Sequence, residues 1–226
     1  MRCGREETVP KLKVCGITDA AFAVEAARRG VDYLGLIFAE GSPRRVTTEQ
    51  ASQIIAAVQE NAVPNVPKFV GVFVDHSVEE IEKIASSLRL TVIQLHGNYG
   101  AEEIATLKSK GHEVWRLLDE GLDLSDRGKV KPDAVLLDGR NGAQRGGTGK
   151  RADWSLVEPL KSAGWRIVLA GGISAANVAD AIATGADIID ANSTLETVPG
   201  VKTIDRLDAL LVSFRGAVVL NPTKPR

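Results

Sequence analysis

Cysteine is nearly absent: Cys3 and Cys15 are the only two in 226 residues. Two cysteines build no disulfide scaffold, so a reducing, cytoplasmic setting is expected. Aromatic residues make up only 4% of the chain. Blocks of like charge are missing too. The 28 basic and 29 acidic residues leave a formal net charge of −1, which points to neither a nucleic acid nor a membrane surface as partner. No apolar run approaches the ~20 residues of a membrane span. The stretch Met1-Arg2-Cys3-Gly4-Arg5-Glu6-Glu7 lacks the apolar core of a signal peptide. There are three histidines, and no pair has metal-ligand spacing, so no metal is expected.

What is plentiful is aliphatic: 44% of the chain is hydrophobic, and it carries 22 glycines. That is enough for a substantial core of interleaved Ala, Val, Leu and Ile. Short β-rich runs alternate with helical patterns. The strand candidates are Leu12–Cys15, Tyr33–Ile37, Phe69–Val74, Val92–Leu95, Val114–Leu117, Ala134–Leu137, Ile167–Ala170 and Asp187–Asp190. Their near-continuous apolar character suits strands covered on both faces.

Helix signals lie between them. Ser77-Val78-Glu79-Glu80 and Thr47 with Gln50 have the spacing of capping boxes. Val78, Ile81, Ile84, Ala85 and Leu88 fall on one face. Ala20–Arg29 stops at Gly30, and Thr203 is placed to cap a last amphipathic helix reaching Phe214. Between Leu117 and Ala134 no helical period is readable, so the fifth helix is expected to be short or replaced by a loop. Eight βα units favour a single-domain (β/α)8 TIM barrel over residues 11–215. Residues 1–10 and 217–226 read as flexible ends. An open doubly wound sheet is the alternative, because periodicity does not show closure.

The polar residues gather where a barrel does its chemistry, at the C-terminal ends of strands. Cys15 follows the first strand, and Arg44 and Arg45 the second. Gln94 and His96 end the fourth, Asp138 the sixth, and Asp190, Asn192 and Ser193 the eighth. Two glycine clusters, Gly146-Gly147-Thr148-Gly149 and Gly171-Gly172, follow buried strands. Such loops let backbone N–H groups approach a phosphate. A carboxylate that ends an apolar strand is partly desolvated, which favours a protonated, acid-supplying form. Each residue also has a structural reading. Cys15 fits as a small buried side chain, Arg44 and Arg45 as solvated ones, and Asp190 as an acceptor of backbone N–H groups. His76 and His112 read as surface residues.

Several motifs resemble phosphoribosylanthranilate isomerases. They are Lys13-Val14-Cys15-Gly16-Ile17-Thr18, Gly35-Leu36-Ile37-Phe38, Ser42-Pro43-Arg44, Val70-Gly71-Val72-Phe73, Gln94-Leu95-His96-Gly97 and Gly146-Gly147-Thr148-Gly149. Asp153-Trp154-Ser155, Leu169-Ala170-Gly171-Gly172-Ile173, Asn177-Val178 and Pro199-Gly200-Val201-Lys202 follow in the family's order. The resemblance covers about Lys11 to Phe214. It implies a (β/α)8 barrel that performs an Amadori rearrangement of a phosphorylated aminosugar in tryptophan biosynthesis, without cofactor or metal. It implies Cys15 as general base, Asp138 as general acid and Arg44 as the partner of the anthranilate carboxylate. His96 and Asp190 would also meet the substrate. Gly146, Gly147, Gly149, Gly171, Gly172, Asn192 and Ser193 would hold the phosphate.

Some positions depart from the family's pattern. Ala152 stands where an aromatic often precedes Asp-Trp, and Tyr99 stands in place of an acidic residue. Thr203 replaces an Asp, and Asn192-Ser193-Thr194 replaces the more usual Ser-Ser-Gly. None of these removes the acid, the base or the carboxylate anchor. Two other readings stay open at this level. One is a different phosphate-binding barrel enzyme, such as an indole-glycerol-phosphate synthase or a sugar-phosphate epimerase. The other is a protein that binds a sugar or flavin phosphate without turnover. A monomer is expected, since no extra apolar patch is readable.

Overall fold

A computed structural model of the protein describes residues 9–61, 65–118, 130–139 and 152–220. Eight parallel strands close into a barrel in sequence order: β1 (Lys11–Val14), β2 (Tyr33–Ile37), β3 (Lys68–Phe73), β4 (Val92–Leu95), β5 (Glu113–Leu117), β6 (Ala134–Leu137), β7 (Ile167–Leu169) and β8 (Ile188–Ala191). The ring is sealed by β1 lying beside β8, with Lys13 opposite Asp190 and Val14 opposite Ala191. Closure settles the choice between a barrel and an open sheet. Each strand lies within a residue of its expected span, because residues buried on both faces leave uninterrupted apolar runs.

Seven α-helices are described: α1 (Ala20–Arg28), α2 (Thr48–Glu60), α3 (Val78–Leu88), α4 (Ala101–Ser109), α5 (Val157–Ser162), α6 (Val178–Ala183) and α7 (Ile204–Leu220). Both expected capping boxes are present. Thr47 and Gln50 satisfy each other's orphan N–H groups, as do Ser77 and Glu80. Gly30, at φ +80°, ends the first helical turn pattern. The expected short fifth helix falls on residues 119–129, outside the described residues. So does the glycine loop at Gly146, Gly147 and Gly149. Of the ends expected to be flexible, residues 217–220 are the last turn of α7 instead. Ala217 is still buried there, so the helix keeps a packing face beyond Phe214. A small antiparallel hairpin, β9 (Glu196–Val198) and β10 (Val201–Lys202), follows the barrel and was not foreseen.

One large cluster packs the helices onto the outside of the barrel, from Leu12 and Phe22 round to Leu210 and Phe214. A second fills the barrel's lower interior with Tyr33, Val70, Val92, Trp115, Leu136 and Ile188. Below it the floor is polar. The Arg166 guanidinium pairs with Glu113 and donates to the Tyr33 hydroxyl at 3.1 Å, and Trp115 Nε1 donates to Glu113 at 2.8 Å. Above it, Cys15, Ile37, Ala39 and Val72 form a third, small cluster at the C-terminal mouth. The helices and floor leave that mouth as the open end.

Candidate active site

One pocket at the C-terminal mouth is lined by Cys15, Arg44, Gln94, His96, Asp138, Gly171, Gly172, Asp190, Asn192 and Ser193, among others. The barrel explains the convergence. Alternate residues of each strand point inward, so Lys13 and Cys15, or Gln94 and His96, stack along one inner line.

The first wall is the seam between β1 and β8. Lys13 is fully buried, and its ammonium donates to Asp190 Oδ2 at 2.6 Å. Burial opposes the charge on Lys13, but Asp190 and Cys15 facing it hold it protonated above its ordinary range. Burial pushes the Asp190 carboxyl up. It pushes the Cys15 thiol up as well, and the Lys13 and Lys202 cations draw that thiol back only in part. At rest Cys15 is therefore a thiol with two cations in reach. Such neighbours stabilise a thiolate once the proton leaves.

Opposite stand the ends of β4 and β6. His96 Nε2 lies 3.7 Å from Asp138 Oδ2, and the Gly139 N–H donates to Asp138 Oδ1 at 2.7 Å. Gly171 has φ +86°, and a Cβ there would come within 2.5 Å of the Gly139 nitrogen and 3.2 Å of Asp138 Oδ1. Only glycine lets the β7 loop pass this close to the carboxylate. Two buried acceptors, Gln94 Oε1 and Asp190 Oδ1, have no hydrogen-bond partner among the described residues. Orphaned buried acceptors on a pocket wall suit ligand hydroxyls.

The third wall brings together the loop after β2 and the β9–β10 hairpin. Arg44 presents its side edge to Glu196, with Nε to Oε1 at 2.8 Å and Nη2 to Oε2 at 2.7 Å. Lys202 Nζ donates to Glu196 Oε1 at 2.8 Å and to Asn192 Oδ1 at 2.8 Å. Burial alone would raise the Glu196 carboxyl, but the hydrogen bonds from Arg44 and Lys202 hold it below its ordinary value.

Of the residues expected from sequence, Cys15, Arg44, His96, Asp138, Asp190, Gly171, Gly172, Asn192 and Ser193 share this pocket. Arg45 does not; it is half exposed and lies 3.6 Å from Glu40. His96 and Asp138 stand 3.7 Å apart. One reading changes. His76 and His112 are not plain surface residues. A ring nitrogen of each lies within 3.1 Å of a backbone carbonyl, Val74 for His76 and Leu90 for His112, and His112 also meets Glu82 at 3.2 Å. Tyr99 is buried, and its hydroxyl bonds both the N–H and the carbonyl of His76. That accounts for its presence after His-Gly, and burial pushes its phenol up to about 12. Lys13, Glu196 and Lys202 were missed as site residues. Lys13 and Lys202 stand inside family-like motifs, but a lysine in a motif does not name its partner, and the roles of Lys13 and Glu196 depend on contacts across 177 and 152 positions of chain.

Among the described residues no group of three or more His, Cys, Asp or Glu side chains stands close enough to hold a metal ion. No helix among them is long and apolar enough to cross a membrane.

Comparison with known proteins agrees with this fold. Residues 12–212 match the family N-(5'phosphoribosyl)anthranilate (PRA) isomerase. The N-(5'-phosphoribosyl)anthranilate isomerase of Campylobacter jejuni is 38% identical over 205 residues, covering 91% of this chain and 98% of its own. The phosphoribosyl anthranilate isomerase structure from Thermus thermophilus superposes with TM-score 0.76 at 32% identity, over 91% of this chain and 98% of that one. A phosphoribosyl anthranilate isomerase in complex with reduced 1-(o-carboxyphenylamino)-1-deoxyribulose 5-phosphate gives TM-score 0.74 at 27% identity, over 92% and 99%. The chain belongs to the N-(5'-phosphoribosyl)anthranilate isomerase family.

Proposed function

We propose that the protein converts N-(5'-phosphoribosyl)anthranilate to 1-(2-carboxyphenylamino)-1-deoxyribulose 5-phosphate, an aldose–ketose isomerisation in tryptophan biosynthesis. The observation that carries this reading is the meeting of Cys15, Asp138 and Arg44 in one pocket of a chain with this family membership.

The reaction needs a proton delivered to the furanose oxygen, removal of the C2' proton from the resulting Schiff base, and reprotonation of the enolamine carbon. Asp138 supplies the first proton. The Gly139 N–H, donating to Asp138 Oδ1 at 2.7 Å, holds that carboxyl, and His96 Nε2 lies 3.7 Å from its other oxygen. Cys15 on the facing wall acts as the thiolate, which the Lys13 ammonium stabilises; it takes the C2' proton and, as the thiol so formed, returns it to the enolamine carbon. Asp190 Oδ1 and Gln94 Oε1 accept sugar hydroxyls. Arg44 meets the anthranilate carboxylate with the edge that Glu196 leaves open. Gly146, Gly147, Gly149, Gly171, Gly172, Asn192 and Ser193 hold the phosphate, whose binding energy keeps the sugar in register. The Asn192 Oδ1 faces Lys202, so its amide N–H₂ is the part that serves an anion. The barrel of residues 11–215 does this as a cytoplasmic monomer.

The test is an isomerase assay with substrate made in situ, following loss of its fluorescence. Turnover in the parent that collapses in Cys15→Ser and Asp138→Asn supports the assignment. Full activity in either variant removes that residue from the mechanism. A folded parent without turnover overturns the function.

A further inference from the structure

Around Glu196 the charges do not balance. Arg44 and Lys202 are both cations, and both bond this single carboxylate. The side chains of Glu196 and Lys202 are each 3% exposed, and that of Arg44 is 14% exposed. The nearest other titratable groups on this wall and the seam facing it do not cancel the surplus. Cys15 is held as a thiol by burial, and Lys13 is matched by Asp190. On this wall Arg44 and Lys202 together thus carry one positive charge more than Glu196, and burial draws the Lys202 ammonium below its ordinary range. A surplus buried charge is costly unless an anion meets it.

The geometry says where that anion binds. Glu196 occupies the Nε–Nη2 side of the Arg44 fork. Among the described residues the Nη1–Nη2 edge has no partner, and that edge matches a carboxylate with two parallel hydrogen bonds. A guanidinium on a free side chain swings among many rotamers; one held along its side edge keeps a single direction. The surrounding backbone is shaped for this grip. A Cβ on Gly16 would fall 2.8 Å from Arg44 Cδ, and one on Gly200, in the hairpin turn, 2.9 Å from the Pro43 carbonyl oxygen. The Thr18 hydroxyl ties that turn down at the Gly200 carbonyl, 2.7 Å away. Arg206 bonds the Glu196 carbonyl from α7.

We propose that Glu196 is a positioning residue for recognition of the substrate's aromatic carboxylate. Through its two-point grip on Arg44, with Lys202 as counter-cation, it turns the open guanidinium edge toward the pocket. The β9–β10 hairpin is the brace that sets it there. This rests on the reading of Arg44 as the carboxylate anchor.

Two ligands separate the roles: reduced 1-(o-carboxyphenylamino)-1-deoxyribulose 5-phosphate, and the same compound without its carboxyl group. Their dissociation constants are measured by calorimetry on the parent, Glu196→Gln, Glu196→Asp and Arg44→Met. A charge-assisted bidentate contact predicts that the parent prefers the carboxylated ligand by roughly 10- to 100-fold. Arg44→Met abolishes that preference. Glu196→Gln reduces it about 10-fold or more, while affinity for the carboxyl-free ligand stays within about threefold of the parent. Glu196→Asp keeps the charge and shortens the reach, so it preserves the fold if Gln does not, and it loses the same preference. If both Glu196 variants weaken the two ligands equally, Glu196 only supports the fold and the proposal fails. It also fails if they keep the parent's preference. A parent that shows no preference overturns the Arg44 reading itself.

Discussion

The two ends of the barrel are built from similar side chains and arranged to opposite effect. At the floor, both cations on Glu113 reach solvent: Arg166 is 36% exposed and Lys68 55%. Tyr33 and Trp115 add hydrogen bonds and an edge-on ring contact at 5.1 Å. At the mouth, the second cation on Glu196 is buried, and the acceptors Gln94 Oε1 and Asp190 Oδ1 lack partners among the described residues. A polar network that completes its own hydrogen bonds stabilises a fold. One that leaves charge and acceptors over is shaped for something that binds.

That contrast can be broken from either end. The largest effect is expected at the mouth. Asp138→Asn and Cys15→Ser should each lower kcat/KM by roughly 10²- to 10⁴-fold, the usual worth of a general acid or base. Thermal unfolding followed by circular dichroism should stay within about 1 °C of the parent, since Asn keeps an oxygen to accept the Gly139 N–H and Ser keeps nearly the shape of the thiol. A matching loss of Tm would mean the mouth is structural after all.

At the floor the pattern should invert. Glu113→Gln leaves Arg166 without its carboxylate. The side chain is 20% exposed, so the loss is set below that of a fully buried pair, at about 1–3 kcal/mol. For a chain of this size each kcal/mol shifts Tm by roughly 2–4 °C. Activity at 25 °C, measured on the folded fraction, should be unchanged. An equal fall in kcat/KM would erase the distinction between the ends.

Lys13 sharpens the comparison from the middle. Burial raises the Cys15 thiol and Lys13 counteracts it, so losing the cation raises the thiol further. In Lys13→Met, alkylation of Cys15 by iodoacetamide should begin at a higher pH than in the parent. The alkaline rise of kcat/KM should move the same way. Pairing it with Asp190→Asn removes the unpaired carboxylate and guards against unfolding; because Asp190 itself raises the thiol, that double variant is compared with Asp190→Asn alone. Alkylation with an unshifted pH profile would show that Lys13 does not act on the sulfur.

The smallest effect is on acid stability. Burial alone would raise the Glu113 carboxyl, but Trp115, Arg166 and Lys68 hold it below its ordinary value. A depressed carboxyl contributes stability that is present above the unfolded pKa, about 4.5, and is lost as pH falls through the folded one. Unfolding free energy should therefore decline more steeply below about pH 5 in the parent than in Glu113→Gln. Urea titrations at pH 3.5 to 7 read this directly, and parallel slopes would refute it.

The contrast also explains what the sequence disclosed. Strands announce themselves because burial on both faces demands unbroken apolar runs, as in Tyr33–Ile37 and Ala134–Leu137. The capping boxes at Thr47 and Ser77 are local, so spacing alone finds them. Cys15, Asp138 and Gly171 are readable because strand ends and glycines are positional signals. Partnerships across the barrel are not. Nothing near Glu196 in the chain foretells Arg44, and Lys13 looks like any strand lysine until Asp190 faces it. The hairpin escaped notice because its strands hold three and two residues. The histidines were misread because their partners are backbone carbonyls, which every sequence has.

The seam between β1 and β8 has a consequence for how the protein comes to life on the ribosome. Lys13 and Cys15 emerge first, whereas Asp190 is made 177 residues later than Lys13. Until the last strand docks, the ring is open and the ammonium has no carboxylate beside it. The chemical character of the sulfur is therefore acquired at ring closure and not before. Protection of Cys15 from alkylation becomes a clock for the final step of folding, read at a single atom.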